Sequence, residues 1–171
     1  MNDYVAWFDG ACGPVNPGGT ATSGAIVKDK EGTVLLEEGR LVGKGEEMSN
    51  NLAEYAAVIR VFNYILSRSP GHVIVHGDSK LVINQLNGKW RVHKGLYRSV
   101  AFEAQQMLGH LRNMGWQVDL QWIPRVRNEE CDALSKRPVE DVGVLPELQP
   151  LGIPTEPCVD PISKGTAPYQ V

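Results

Sequence analysis

Four carboxylates stand where this chain would ordinarily place apolar or turn residues. Asp9 follows the apolar run Tyr4-Val5-Ala6-Trp7-Phe8, Glu54 lies inside an apolar helical segment, Asp78 joins a strand to a helix, and Asp132 falls in the first turn of a late helix. Acids are rarely found at positions expected to be buried unless something pairs with them. Singly, three have ordinary readings: an Asp after a strand forms turns, an Asp before Ser caps a helix, and an Asp in a first turn complements the macrodipole. Glu54 resists such a reading, because Val58, Val61 and Ile65 follow it at spacings of four, seven and eleven and place it on the inward stripe. Four such acids in one small chain point to a shared metal site. Oxygen-only ligands select hard cations such as Mg2+ or Mn2+, which keep several waters and leave room for phosphate oxygens.

The elements that must position these acids can be read from pattern. Tyr4–Phe8 is expected to be a central strand buried on both faces and ended by Asp9-Gly10. Ala25-Ile26-Val27 and Val34-Leu35-Leu36 read as two strands of a hairpin joined through Asp29-Lys30-Glu31-Gly32. A helix is expected from Ser49 to Leu66. The β-branched strand Val73-Ile74-Val75 leads through Gly77 to Asp78-Ser79, which opens a helix carrying Leu81, Val82, Ile83 and Leu86. A packing helix follows over Tyr97–Met114, stopped by Gly115. Leu120–Ile123 gives the last strand, closed by Pro124, and Asn128 is a good N-cap for the helix that carries Asp132 and Leu134.

The motifs Phe8-Asp9-Gly10-Ala11, Asn50-Asn51-Leu52-Ala53-Glu54, Gly77-Asp78-Ser79-Lys80-Leu81-Val82 and Asn128-Glu129-Glu130-Cys131-Asp132-Ala133-Leu134 resemble, in order and context, the type 1 ribonuclease H family. The resemblance runs from about Tyr4 to Arg137, and the combination of four motifs is far more specific than any one. It implies an α/β ribonuclease H-like fold with a five-stranded mixed sheet flanked by helices. It also implies endonucleolytic cutting of the RNA strand of RNA/DNA hybrids by two Mg2+ or Mn2+ ions held by Asp9, Glu54, Asp78 and Asp132, leaving 3'-hydroxyl and 5'-phosphate ends. In a two-metal scheme one ion orients the attacking water and its neighbour, about 3.5 to 4 Å away, stabilises the leaving oxygen.

Selection of a hybrid requires a reader of the 2'-hydroxyl. Asn16, in Gly13-Pro14-Val15-Asn16-Pro17-Gly18-Gly19, and Asn50 match family positions that contact the RNA strand, and amides suit this because they donate and accept. Plain turn and helix-cap roles are their bland alternatives. Ser49 matches a small hydroxyl residue of the family's DNA-phosphate pocket. The stretch Lys89-Trp90-Arg91-Val92-His93-Lys94, continued by Arg98, holds four certain cations and no acid, and Lys89, Trp90, Arg91 and Lys94 suit a phosphate track with a stacking surface; a solvated loop is the equal alternative. Many family members carry a histidine in a mobile loop before the last helix. Here that connection reads Pro124-Arg125-Val126-Arg127, and Arg125 stands near the vacant position as an auxiliary that can hold phosphate but cannot act as a base at ordinary pH. The family's larger basic protrusion and separate N-terminal hybrid-binding domain are not expected either.

Composition is compatible. With 171 residues, 42% of them hydrophobic, the chain can bury one core, and no apolar stretch is long enough to span a bilayer. The formal charge of -3 divides unevenly: residues 138–171 hold five acids and one base, so residues 1–137 carry +1 in spite of the four proposed ligands. A catalytic domain over 1–137 and an acidic tail over 138–171 are therefore expected. The tail contains seven of the eleven prolines, yet Val142, Val144, Leu145, Leu148, Leu151 and Ile153 suggest partial docking in extended form, with a segment for a protein partner as the alternative. Three cysteines without zinc-ligand spacing and no signal segment point to the cytoplasm, and a monomer is expected. Cys12 and Cys131 lie close in sequence to Asp9 and Asp132, where gap-filling is favoured over an encounter between them. A Gly-Asp-Ser esterase centred on Ser79 lacks an Asp-x-x-His, and the Gly13 loop lacks a P-loop ending. A non-catalytic hybrid-binding or interaction domain on the same fold is the principal alternative.

Overall fold

The computed structural model describes residues 3–137; the expectations for the tail lie outside the described residues. The elements are β1 (Tyr4–Gly13), β2 (Thr20–Asp29), β3 (Val34–Lys44), α1 (Asn50–Leu66), β4 (His72–Gly77), α2 (Lys80–Leu86), α3 (Arg98–Asn113), β5 (Gln117–Trp122), a single 3-10 turn at Arg125–Arg127, and α4 (Glu129–Ser135). They build a five-stranded mixed sheet in the order β3-β2-β1-β4-β5. The first three strands form an antiparallel meander, and β4 and β5 join it in parallel.

Side chains alternate across a strand, so neighbouring residues of β1 serve different layers. Ala6 and Phe8, with Ala25 and Val27 of β2, enter the main core under α1 and α3, where Tyr55, Val58, Ile59, Val61, Phe62 and Ile65 are fully buried. Trp7 and Ile26 face the other way and meet Cys131 and Leu134 of α4. Cys131 thus fills space beneath α4, Cys12 donates its thiol to the Val15 carbonyl at 3.4 Å, and both are free thiols. No helix of the described residues is long and apolar enough to cross a membrane.

β2, β3 and β5 run beyond the expected Ala25–Val27, Val34–Leu36 and the start of Leu120–Ile123, β5 ends at Trp122, and three further details at element ends differ from the pattern reading. β1 continues through Asp9-Gly10 to Gly13, because its antiparallel partner β2 stays in register as far as Thr20, opposite Gly13. What ends beside Asp9 is the parallel pairing with β4, whose last pair is Phe8 with Gly77. Ser49, not Asn50, caps α1, its hydroxyl accepting from the Leu52 N–H at 3.1 Å. Asn128 stands at the N-cap position of α4 but makes no side-chain cap, since its amide is turned into the protein.

Candidate active site

The topology gathers the acids. The pairing of β1 with β4 stops one residue before Asp9 and one before Asp78, which puts both carboxylates at the same edge of the two central strands. Ser79 then caps α2, accepting from the Val82 N–H at 3.2 Å, so the chain turns away from the sheet directly after Asp78. Glu54 arrives from α1 across a close helix-to-strand contact. A Cβ at Gly10 would lie 2.3 Å from the Ala53 carbonyl carbon and 2.3 Å from the Glu54 nitrogen, so only glycine allows the helix backbone to lie so near β1. On the other face, Gly24 and Gly39 admit the α4 backbone in the same way: an added Cβ would be 2.6 Å from the Cys131 carbonyl oxygen and 2.4 Å from that of Leu134.

Ligand atoms of Asp9, Glu54 and Asp78 lie within 4.8 Å of one another. Asp9 and Glu54 are 1% and 3% exposed, and the Asp78 side chain 4%. Asp132, more exposed, stands beside Asp9 at the rim, near enough to share a hydrogen bond with it. Burial, then the neighbouring Asp78 and Asp132, pushes Asp9 up from its ordinary 3.8 to about 7; burial, followed by Asp9 and Asp78, holds Glu54 well above the usual carboxylate range. Asp9 Oδ1 and Glu54 Oε1 are buried without a hydrogen-bond partner. Unpaired carboxylate oxygens in a buried cluster of like charge are an arrangement that a hard, oxygen-seeking divalent cation satisfies.

A pH profile follows from the sign of these shifts. Below about 3.8 Asp9 is neutral folded or unfolded; between there and about 7 the unfolded chain has lost a proton that the folded one keeps, so stability falls as pH rises. In metal-free buffer, Asp9→Asn is expected to match wild type near pH 4 and to exceed it at pH 8 by on the order of a few kcal/mol, read from thermal melts. Mn2+ should narrow that gap by stabilising only the wild type. A gap independent of pH would contradict the burial argument.

Several residues missed in sequence organise this cluster. Asn128, 2% exposed, donates through its side-chain nitrogen to the Phe8 carbonyl at 3.0 Å and to Asp78 Oδ2 at 3.4 Å, while its backbone carbonyl accepts from the Asp132 N–H at 3.0 Å. It therefore ties the elements that bear Asp9, Asp78 and Asp132. Ser135 donates to Asp9 Oδ2 at 3.2 Å and to the Asp132 carbonyl at 2.9 Å. Lys136 pairs with Asp132 at 3.3 Å, and the Trp122 indole N–H donates to the Asp78 carbonyl at 3.1 Å. Neither the flanks of Asn128, Arg127 and Glu129, nor those of Ser135, Leu134 and Lys136, gave a sequence signal of that role.

Of the other sequence candidates, Arg125 is placed at the cluster, its Nε 3.9 Å from Asp78 Oδ2 and its side chain 68% exposed. Asn16 and Asn50 meet: the Asn50 N–H donates to Asn16 Oδ1 at 2.9 Å, which anchors the Gly13–Gly19 loop to the start of α1 beside Ser49. Lys89, Trp90, Arg91 and Lys94 lie outside the carboxylate cluster, on the exposed connection between α2 and α3, with Trp90 48% exposed.

The sheet order, the helix placement and the buried acids at the end of the two central strands define the ribonuclease H fold class. The family model described as "Reverse transcriptase-like" matches residues 8–138, and the chain belongs to the ribonuclease H family. It is 31% identical to the ribonuclease HI of Halobacterium salinarum over 80% of this chain and 64% of that protein. The crystal structure of RNase H1 from that archaeon superposes with a TM-score of 0.68 at 28% identity, covering 81% of this chain and 98% of the other. A bifunctional protein of Mycobacterium tuberculosis is 28% identical over 70% of this chain, which spans only 31% of that relative's length. LC11-RNase H1, solved in complex with an RNA/DNA hybrid, gives a TM-score of 0.63 at 26% identity, covering 77% of this chain and 92% of the other.

Proposed function

We propose that this chain is a metal-dependent endoribonuclease that hydrolyses the RNA strand of RNA/DNA hybrids and leaves 3'-hydroxyl and 5'-phosphate ends. The observation that carries the reading is the convergence of Asp9, Glu54 and Asp78 within 4.8 Å, with buried carboxylate oxygens that lack a protein partner, in a chain of this family. Asp9, Glu54, Asp78 and, from the rim, Asp132 would hold two Mg2+ or Mn2+ ions. Bound there, such ions would supply an activated water and neutralise charge on the leaving oxygen of an in-line displacement. The catalytic domain is assigned to residues 1–137, and a single copy supplies every proposed ligand.

The remaining tasks fall to the protein. Asn128 and Ser135 hold carboxylates in place, so that Asp78 and Asp9 need not reorganise when substrate arrives. Asn16 and Asn50, joined at the start of α1, would meet the 2'-hydroxyl side of the RNA strand. The Ser49 hydroxyl accepts from Leu52, which leaves its proton to donate to a DNA phosphate. The test is the chemistry of the ends. Cleaved RNA should serve as a primer for a polymerase without phosphatase treatment; products ending in 2',3'-cyclic phosphate would contradict a water-dependent displacement.

Arg125 would hold a phosphate oxygen beside Asp78. Arg125→Lys should then retain most activity, whereas Arg125→Ala should lose about ten-fold, worth roughly 1.4 kcal/mol. Steady-state cleavage rates distinguish the two, and a loss in Arg125→Lys as deep as in Arg125→Ala would show that charge alone is insufficient.

Lys89, Arg91 and Lys94 are all exposed on one connection and would track phosphates away from the cut. Replacing the three with Gln should weaken hybrid binding and flatten its dependence on salt, since each lost phosphate contact lowers the log-log slope by up to about 0.9. An unchanged slope would make the segment a solvated loop.

A further inference from the structure

The sequence gives no hint of how the basic connection between α2 and α3 acquires a defined shape. Ten residues from Lys89 to Arg98 follow Gly88, whose φ of +78° is open to glycine, and most of their side chains are exposed. Beneath them lies a buried polar network. Gln85, on the last turn of α2, is 1% exposed. Its Oε1 accepts from the Tyr55 hydroxyl at 2.6 Å, and its Nε2 donates to the Tyr97 hydroxyl at 3.1 Å and to the Arg91 carbonyl at 2.8 Å. The Tyr97 hydroxyl also accepts from the His93 N–H at 3.4 Å, and its ring stacks on that of Tyr55, 5.9 Å apart and 6° from parallel. At the near end, the Lys89 and Trp90 N–H groups both donate to the Asn84 carbonyl, at 2.8 and 3.1 Å.

We propose that Gln85 is a positioning residue for substrate: from inside the core it fixes the backbone of Lys89–Arg98 so that Lys89, Arg91 and Lys94 face a nucleic-acid backbone as a preformed set. The proposal rests on the hybrid-cleaving function above. For stability alone an all-apolar cluster, with Gln85, Tyr55 and Tyr97 replaced together by residues of similar shape, would serve this site, because buried polar groups must first recover the cost of their own desolvation. What the amide adds is a hold on a main-chain carbonyl of the exposed segment, reached across the core from α1 through Tyr55. Cations on a segment ordered in advance bind phosphates without losing the entropy of ordering it on contact. Gln85 lies on the last turn of α2, at the opposite end from Asp78, so loosening the network acts on binding and leaves the carboxylates in place.

The test uses two variants of the full chain. Tyr97→Phe deletes the hydroxyl shared by Gln85 and His93 and keeps the stacked ring; Gln85→Met keeps the volume and deletes the amide. Both should raise KM for an RNA/DNA hybrid by about three- to ten-fold, the factor that one or two neutral hydrogen bonds are worth, with kcat within about two-fold of wild type. Both should flatten the salt dependence of KM and speed amide hydrogen exchange over Arg91–Tyr97. Faster exchange with KM and salt dependence unchanged would overturn the proposal, as would a fall in kcat at constant KM. If wild type cuts hybrid and both variants match it, this proposal alone fails; if wild type neither binds nor cuts hybrid, the functional reading fails and takes the proposal with it.

Discussion

Asp78→Asn and Asp9→Asn are each expected to lower hydrolysis of an RNA/DNA hybrid by at least about a hundred-fold, roughly 2.7 kcal/mol of transition-state stabilisation, while leaving the fold intact. The amide keeps the shape of the side chain. It loses the negative charge that a hard cation requires, and one of its two oxygens becomes a donor. Neither substitution should unfold the protein, because each removes a carboxylate from a buried group of like charges and so relieves repulsion. Circular dichroism and thermal melting would verify the fold, and cleavage rates in Mg2+ and in Mn2+ the loss. Retention of more than about a tenth of wild-type activity by either variant would remove the residue from the metal-binding set.

Gly10→Ala should be nearly as severe by a different route. Its methyl group would sit 2.3 Å from both the Ala53 carbonyl carbon and the Glu54 nitrogen, and both are backbone atoms that cannot rotate aside. Either α1 lifts from β1 or β1 bends, and the first casualty is the approach of Glu54 to Asp9. Overpacking of this kind costs about 3 kcal/mol or more, because the clash meets main chain instead of a flexible side chain. Activity should fall at least about ten-fold even at temperatures where the variant is folded, since a small displacement of a metal-binding carboxylate is amplified in the rate. Gly32→Ala makes a useful contrast: its φ of +89° strains an alanine, but nothing lies within 4 Å, so it should cost some stability and spare the rate. Equal kinetic losses in the two variants would argue against a specific role for the Gly10 contact.

The acids were legible in sequence because residue type and setting conflict there. Glu54 among Val58, Val61 and Ile65 is incompatible with a plain amphipathic helix, and the structure places it 3% exposed against Asp9. The sheet was legible for a similar reason, since each strand announced itself as a short apolar run next to turn residues. The strand ends were not: whether β1 stops at Asp9 depends on how far β2 stays paired with it, and that register is set by the whole hairpin. Asn128 misled because its local preference for an N-cap competes with two hydrogen bonds to residues fifty or more positions away, to Phe8 and Asp78, and the tertiary bonds win. Gln85 was hidden too. In Leu81-Val82-Ile83-Asn84-Gln85-Leu86 it reads as a polar side of a short helix, and only the packing of Tyr55 and Tyr97 against it makes that side an interior.

The central claim is that the buried carboxylates serve metal-dependent hydrolysis of RNA paired with DNA. Its most direct test is incubation of the purified full chain with end-labelled RNA/DNA hybrid, duplex RNA, duplex DNA and the single strands, each with Mg2+, with Mn2+ and with excess chelator. The expected result is cutting of the RNA strand of the hybrid, at internal positions, in the presence of either metal and not in chelator, with the DNA strand intact. Cleavage that persists in chelator, or no cleavage of hybrid in either metal by protein whose melting curve shows it to be folded, would contradict the account.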